Sequence, residues 1–300
     1  MPPLEPRKIL VAVDGSNNSE YALNLSMKLA TQSSTIDLIH VSSPSTPVVV
    51  SPAPPFDPTL RTPVVLPDQV VAVDEEAERR IPPVLADRKK ILVEQGIQCK
   101  AIHVVSNDIA GEILRVTAEG AYDLTALGSR GIGGIRSFLM GSTSTKVARE
   151  SKHSVLIAKA KIGSVPKILL GYDGGDESNI ALNFTTELAK RFHAHVTVES
   201  VVVTISSEGY VGSGVERWEK EMHQLVESAL SQLKSEGVEA DGRVIDSPDV
   251  AISLAESAEK GDYDLIVVGN RGRGRLESFF LGSVASGIAN SAKTNVLITR

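Results

Sequence analysis

The sequence has little of what marks a disulfide scaffold, a membrane protein or a nucleic-acid binder. A single cysteine, Cys99, in 300 residues allows no internal disulfide and no cysteine-based metal cluster, which fits a reducing compartment. Aromatic residues make up only 4%, so a core has to be built from Val, Ile, Leu and Ala. Basic charge is not in excess: 31 Lys and Arg against 37 Asp and Glu leave a net charge of -6. That balance argues against general affinity for nucleic acid, whose phosphates require a basic face. No apolar run approaches the ~20 residues that span a bilayer, and residues 1–8 are proline-rich, without a signal peptide's apolar stretch. The expectation is a cytoplasmic protein with neither a membrane nor a nucleic acid as partner.

What is present is present twice. Lys8-Ile-Leu-Val-Ala-Val-Asp14-Gly-Ser is followed by Ala22-Leu-Asn24, and Lys167-Ile-Leu-Leu-Gly-Tyr-Asp173-Gly-Gly by Ala181-Leu-Asn183. Farther on, Gly128-Ser-Arg-Gly131 matches Gly269-Asn-Arg-Gly272, and Ser137-Phe-Leu-Met-Gly141-Ser matches Ser278-Phe-Phe-Leu-Gly282-Ser. Two long matches in the same order make an internal repeat, predicting domains over 1–160 and 161–300. The offset falls from 159 residues at Asp14 to 141 at Gly128, so the first copy carries a net excess of 18. The excess points to 42–73, a stretch with eight of the 15 prolines, where helix and central strand are excluded. We read it as an extended, polyproline-like insertion. Its valines favour packing on its own domain; a lid or partner-binding arm is the alternative.

Hydrophobic periodicity gives each copy the same order of elements. In the first, strands are expected over 9–13, 36–41, 99–104, 124–127 and 155–158, with helices from Ser16 or Ser19 to 30 and over 84–95, 110–119 and 143–150. In the second, strands are expected over 168–172, 196–203, 243–245, 265–268 and 296–299, with helices over 180–191, 215–236, 250–259 and 284–291. Short continuous apolar strands alternating with helices imply an α/β fold of two tandem open, mostly parallel five-stranded sheets with helices on both faces. Ligands in such sheets bind beyond the carboxyl ends of strands where the strand order reverses. Asp14, the segment after Val41 and Gly128 all fall at strand ends.

The glycine loops are the chemistry-bearing feature. Gly128 and Gly131 are followed after nine residues by Gly141-Ser142; Gly269 and Gly272 are followed likewise by Gly282-Ser283. Glycines let backbone amides approach a phosphate closely, and the following helix starts offer N–H groups and hydroxyls to an anion. Arg130 and Arg271 add charge suited to phosphate. Read alone, the spacing also suits a tight strand–helix turn without a ligand, and Asp14 and Asp173 could serve only to cap the next helix. The pattern matches neither the P-loop nor a complete dinucleotide fingerprint.

Other constellations carry less. His193 and His195 fall at a helix-to-strand junction and lack a third ligand. Acidic runs at 74–78 and 216–221 read as solvated helix charge, and Arg273 and Arg275 as a solvated loop. Asp108 and Asp249 are placed as helix caps. Neither copy shows a nucleophile–base pair, so no catalytic residue is assigned.

The two glycine patterns, each after a buried strand, together with the opening strand ending in Asp14-Gly-Ser, resemble the universal stress protein family. The resemblance covers nearly the whole chain as a tandem member and, by its glycine spacing, the ATP-binding branch. It implies a Rossmann-like fold with one ATP, with or without Mg²⁺, in each domain, as a non-catalytic stress-response module. A slow ATP hydrolase and a ligand-free scaffold are the alternatives. The implied nucleotide residues are Asp14, Val41, Gly128, Arg130, Gly131, Gly141 and Ser142 in the first domain. In the second they are Asp173, Val201, Gly269, Arg271, Gly272, Gly282 and Ser283. Gly175 and Asn270 depart from the family's usual Ser and Ser or Thr, so the two sites are expected to differ. The family also implies an intramolecular pseudo-dimer through the last strands, 155–158 against 296–299, compatible with a further homodimer and an unidentified protein partner.

Overall fold

The computed structural model describes residues 6–44, 82–131, 140–163, 166–203, 213–272 and 281–300. Most of the proline-rich 42–73 insertion, and Arg273 and Arg275, lie outside the described residues. The first half contains β1 (Lys8–Ala12), α1 (Asn17–Leu29), β2 (Thr35–Ser42), α2 (Pro83–Glu94), β3 (Ala101–Val105), α3 (Ile109–Glu119), β4 (Leu124–Gly128), α4 (Ser142–Glu150) and β5 (Ser154–Ala158). The second contains β6 (Lys167–Gly171), α5 (Asp176–Phe192), β7 (His195–Val202), α6 (Ser213–Ser235), β8 (Ala240–Asp246), α7 (Val250–Lys260), β9 (Leu265–Gly269), α8 (Ser283–Ser291) and β10 (Asn295–Thr299). Every expected strand and helix within the described residues is present, with ends displaced by a few residues.

Each half is a parallel sheet, and the halves join into one ten-stranded sheet of order β3-β2-β1-β4-β5-β10-β9-β6-β7-β8. The central strands are buried on both faces because successive side chains point to opposite sides. Ile9 and Val11 enter the core layer shared with Leu23, Leu25 and Leu85, whereas Leu10 enters the layer shared with Ile113 and Val147. Thr125, the polar residue in β4, is fully buried and meets Thr117 hydroxyl to hydroxyl at 2.9 Å. Helix caps follow the sequence: Asp108 accepts from the Gly111 N–H at 2.9 Å and Asp249 from the Ile252 N–H at 3.0 Å.

The join is the antiparallel pair β5–β10, as the family resemblance implies. Leu156 faces Leu297 in its register, and these two residues are each other's counterparts in the repeat, so a pseudo-twofold axis runs between them. Pairing there covers two sheet edges that would otherwise expose unpaired backbone. Cations from each half close helix ends of the other. Lys159 Nζ donates to Ala289 O at 2.7 Å and to Ala292 O at the end of α8. Arg300 donates to Ala148 O at 2.6 Å, near the end of α4, and to His153 O at 2.9 Å. Arg191 of α5 donates to Leu29 O at 2.8 Å and to Ala30 O. Positive charge suits these termini, where helix carbonyls lack partners.

Among the described residues, no helix is long and apolar enough to cross a membrane.

Candidate functional site

In each half the strand order reverses between the first and fourth strands (β1 and β4, or β6 and β9), and the loops leaving those two strands meet. After β1 the chain turns at Gly15, whose φ of +84° lies in the left-handed region, open to glycine without the Cβ penalty. The turn folds the Asp14 carboxylate back, and its Oδ1 accepts from the Ser16 N–H at 2.9 Å. The second half repeats this with Gly174 at φ +76° and a 2.9 Å bond from the Gly175 N–H to Asp173 Oδ1. Neither aspartate is itself the helix N-cap; those positions belong to Ser16 and Gly175.

The other carboxylate oxygen faces the glycine loop. A Cβ on Gly131 would lie 2.5 Å from Asp14 Oδ2, and one on Gly272 would lie 3.0 Å from Asp173 Oδ2. Both glycines are exposed. Gly128 has a different local reason: a Cβ there would strike Asn18 and Ser19 at 2.8 Å, so its absence lets α1 close on β4. Gly269 does the same against Glu177, at 2.7 Å.

The loops return to α4 and α8 through matching backbone bonds. The Gly141 N–H donates to Ser129 O at 2.8 Å and the Gly282 N–H to Asn270 O at 2.9 Å. Thr145 N–H and Ser286 N–H make the first helical bonds, to the carbonyls of Gly141 and Gly282. The N–H groups of residues 142–144 and 283–285 therefore have no acceptor within their helices, and no side chain caps either start. Ser142 and Ser283 are exposed there. Two helix starts with free amides thus stand at glycine loops, the electrostatic setting for an anion.

Val41 and Val201 lie near the ends of β2 and β7, in register with Val104 and Ile245, at the same carboxyl edge of the sheet as Asp14 and Asp173. The structure therefore places the two predicted residue sets in two matching constellations. Within each set, Gly128 and Gly269 face a helix and the others lie on the loops and strand ends around it.

The copies differ at the base of the loop. In the first, Ser16 Oγ accepts from the Ser19 N–H at 3.2 Å and reaches Arg130 O at 3.2 Å, while Asn18 Nδ2 donates to Ser129 Oγ at 3.1 Å. Gly175 removes the hydroxyl tie in the second, and Glu177 replaces Asn18. Burial pushes the Glu177 carboxyl above its ordinary range, against the opposing pull of Arg271 and Arg300. Asn270 is 2% exposed, and its Oδ1 is a buried polar atom without a hydrogen-bond partner among the described residues.

Three residues near the loops escaped the motif reading: Glu177, Lys159 and Arg300. Lys159 immediately follows Ala158, whose carbonyl accepts the Ser129 N–H at 2.8 Å; Arg300 follows Thr299, whose carbonyl accepts the Asn270 N–H at 2.9 Å. The repeat offsets do pair Asn18 with Glu177 and Lys159 with Arg300, so the signal was available to a residue-by-residue alignment of the halves.

Comparison with known proteins agrees with this doubling. The model of the universal stress protein family matches residues 5–159 and again 165–300. A universal stress protein of Mycolicibacterium smegmatis is 28% identical over 97% of this chain and 96% of its own. One from Bacillus subtilis is 30% identical over 51% of this chain and 98% of its own, as expected for a single-domain relative of a tandem protein. Among solved structures, a Pseudomonas aeruginosa protein superposes with a TM-score of 0.68 at 16% identity, covering 99% of this chain and 93% of its own. A universal stress protein from Archaeoglobus fulgidus gives 0.63 at 18% identity, covering 99% and 97%. The chain belongs to the universal stress protein family.

Proposed function

We propose that this tandem universal stress protein binds an adenine nucleotide, ATP, in each of its domains, 1–160 and 161–300, and acts as a nucleotide-responsive module. The observation that carries the reading is the paired construction of the two loops. In each, a helix start whose first amides have no acceptor within the helix stands beside a glycine whose missing side chain leaves space against an aspartate. Phosphates would take the amides of residues 142–144 and 283–285 and the hydroxyls of Ser142 and Ser283, with Arg130 and Arg271 supplying charge. Gly131 and Gly272 would let the ribose and phosphates lie close to the backbone, and Asp14 and Asp173 would accept from ribose or adenine donors. The strand-end backbone at Val41 and Val201 would meet the adenine edge.

Asn270 Oδ1 and Arg271 Nε, buried without a partner among the described residues, fit a polar ligand over the second loop, because unpaired buried polar atoms are costly. A Mg²⁺ ion would arrive on the phosphates, the usual way this ion is held beside a nucleotide. A cytoplasmic location accords with the lone thiol and the composition.

The test is to denature the purified chain, identify released nucleotide by mass, and then titrate the nucleotide-free protein with ATP by calorimetry. Saturable binding of two ATP per chain is expected. No released nucleotide and no heat of binding would contradict the proposal. Steady ATP turnover that Gly131→Ala abolishes would move the protein to the hydrolase alternative.

A further inference from the structure

The sheet junction connects the two loops by more than backbone pairing. Lys159 leaves β5 immediately beside the first glycine loop, since Ala158 O holds the Ser129 N–H. Its ammonium nevertheless closes the far end of α8, the helix whose near end is the anion-binding start of the second domain. Arg300 mirrors it, leaving β10 beside the second loop and closing α4, the helix that starts at the first site. Each helix has only nine residues, about 13 Å at 1.5 Å per residue, so fixing its carboxyl end helps to fix its amino end. The two helices also touch across the junction.

Resting on the reading of both loops as nucleotide sites, we propose that the sites are positively coupled and that Lys159 and Arg300, exchanged across the pseudo-twofold, carry the coupling. Each cation feels the positive charge of the arginine in the loop it leaves. Burial and then Arg130 push the Lys159 ammonium down to about 8; burial and Arg271 push Arg300 down to about 10, against the pull of Glu177. A nucleotide phosphate at the first loop offsets the field of Arg130. That strengthens the hold of Lys159 on Ala289 O and Ala292 O and steadies the start of α8. A phosphate at the second loop acts through Arg271, Arg300 and α4 in the reverse direction. Linkage makes the two effects equal in free energy. Arg300 has room to respond, because it borders a cavity of about 280 Å³ between Phe184 of one half and His153 of the other.

The experiment is calorimetric titration of the full chain with ATP, in four versions whose folding is verified by thermal melting. Gly131→Val and Gly272→Val each push a side chain at the facing aspartate and leave one working site. Lys159→Met with Arg300→Met leaves both loops intact and removes the exchanged cations. The wild type is expected to bind two ATP with a Hill coefficient above 1, and each one-site variant to bind one ATP about fivefold more weakly than the doubly working chain. The Lys159→Met, Arg300→Met chain should bind two ATP with a Hill coefficient no greater than 1. If that chain does not fold, Lys159→Gln alone is used, which keeps a donor but no charge and should lower the coupling. Two independent sites in the wild type, or coupling that survives removal of the cations, would overturn the coupling and leave the nucleotide reading standing. No ATP bound by the wild type would overturn both.

Discussion

Replacing Gly131 with alanine tests the geometry of the first site directly. The backbone tolerates alanine there, because Gly131 is not among the residues with positive φ. The obstacle is the Asp14 carboxylate, 2.5 Å from the new Cβ and well inside van der Waals contact. Asp14 has to rotate, in the free and the bound protein alike, so its 2.9 Å bond from the Ser16 N–H is a cost to the fold; what binding loses is the ligand's own hydrogen bond to the displaced carboxylate. A hydrogen bond to a charged group contributes about 1.5–3 kcal/mol, and each 1.4 kcal/mol is about tenfold in affinity. Gly131→Ala should therefore weaken ATP binding at the first site by about ten- to a hundredfold. At the second site the corresponding distance is 3.0 Å, close enough to crowd Asp173 but relieved by a small shift. Gly272→Ala should accordingly weaken its own site by about threefold or less, by the same conversion. Calorimetric titration of the two variants, with melting curves to verify folding, reads both effects. Equal losses, or a greater loss in Gly272→Ala, would refute the reasoning.

Three further predictions concern the scaffold. Glu199 and Arg243 are register partners in β7 and β8 where the first half pairs Ile39 with Ile102; the Glu199 side chain is fully buried and takes Arg243 at 2.7 Å. Arg243→Ile alone should cost about 3 kcal/mol in urea unfolding by stranding the carboxylate, whereas Glu199→Ile with Arg243→Ile should be neutral or stabilising. Tyr122 donates to the buried Asp37 carboxylate at 2.7 Å, while Tyr263 donates to the neutral Thr197 hydroxyl at 2.7 Å. Tyr122→Phe should thus cost about 2 kcal/mol and Tyr263→Phe about 1 kcal/mol, and the reverse order would contradict the assignment. Lys159 falls from 10.5 to about 8 on folding, first through burial and then through Arg130. The unfolded chain therefore binds more protons between pH 8 and 10.5, so this group's contribution to stability rises with pH across that window. The rise is at most about 3 kcal/mol, because the carbonyls of Ala289 and Ala292 favour the ammonium. Urea titrations at pH 8 and 10 should show it in the wild type and not in Lys159→Met.

The doubling and the element order were legible because the opening strands and glycine loops recur with their spacing intact, and because strands buried on both faces read as continuous apolar runs. The edge-to-edge join followed from family resemblance and not from any local signal. Its register is set by which apolar residues of 155–158 and 296–299 face each other, and such runs carry no marker of their partner. The candidate site was legible at its loops and opaque at their base. Glycine and aspartate spacings are local, but the closeness of Gly131 to Asp14, or of Arg300 to Glu177, exists only after the sheet forms. Lys159 and Arg300 carry no local mark of their role, because the helices they close belong to the opposite half. Gly128 is the reverse case: its spacing marks the motif, while its immediate contact is the packing of α1.

The most direct test of the central claim is native mass spectrometry of the full chain at saturating ATP, for the wild type, Gly131→Val and Gly272→Val. Two nucleotide sites of the proposed construction predict masses for two, one and one bound ATP. A wild-type chain that carries none, or a Gly131→Val chain that still carries two, would contradict the account.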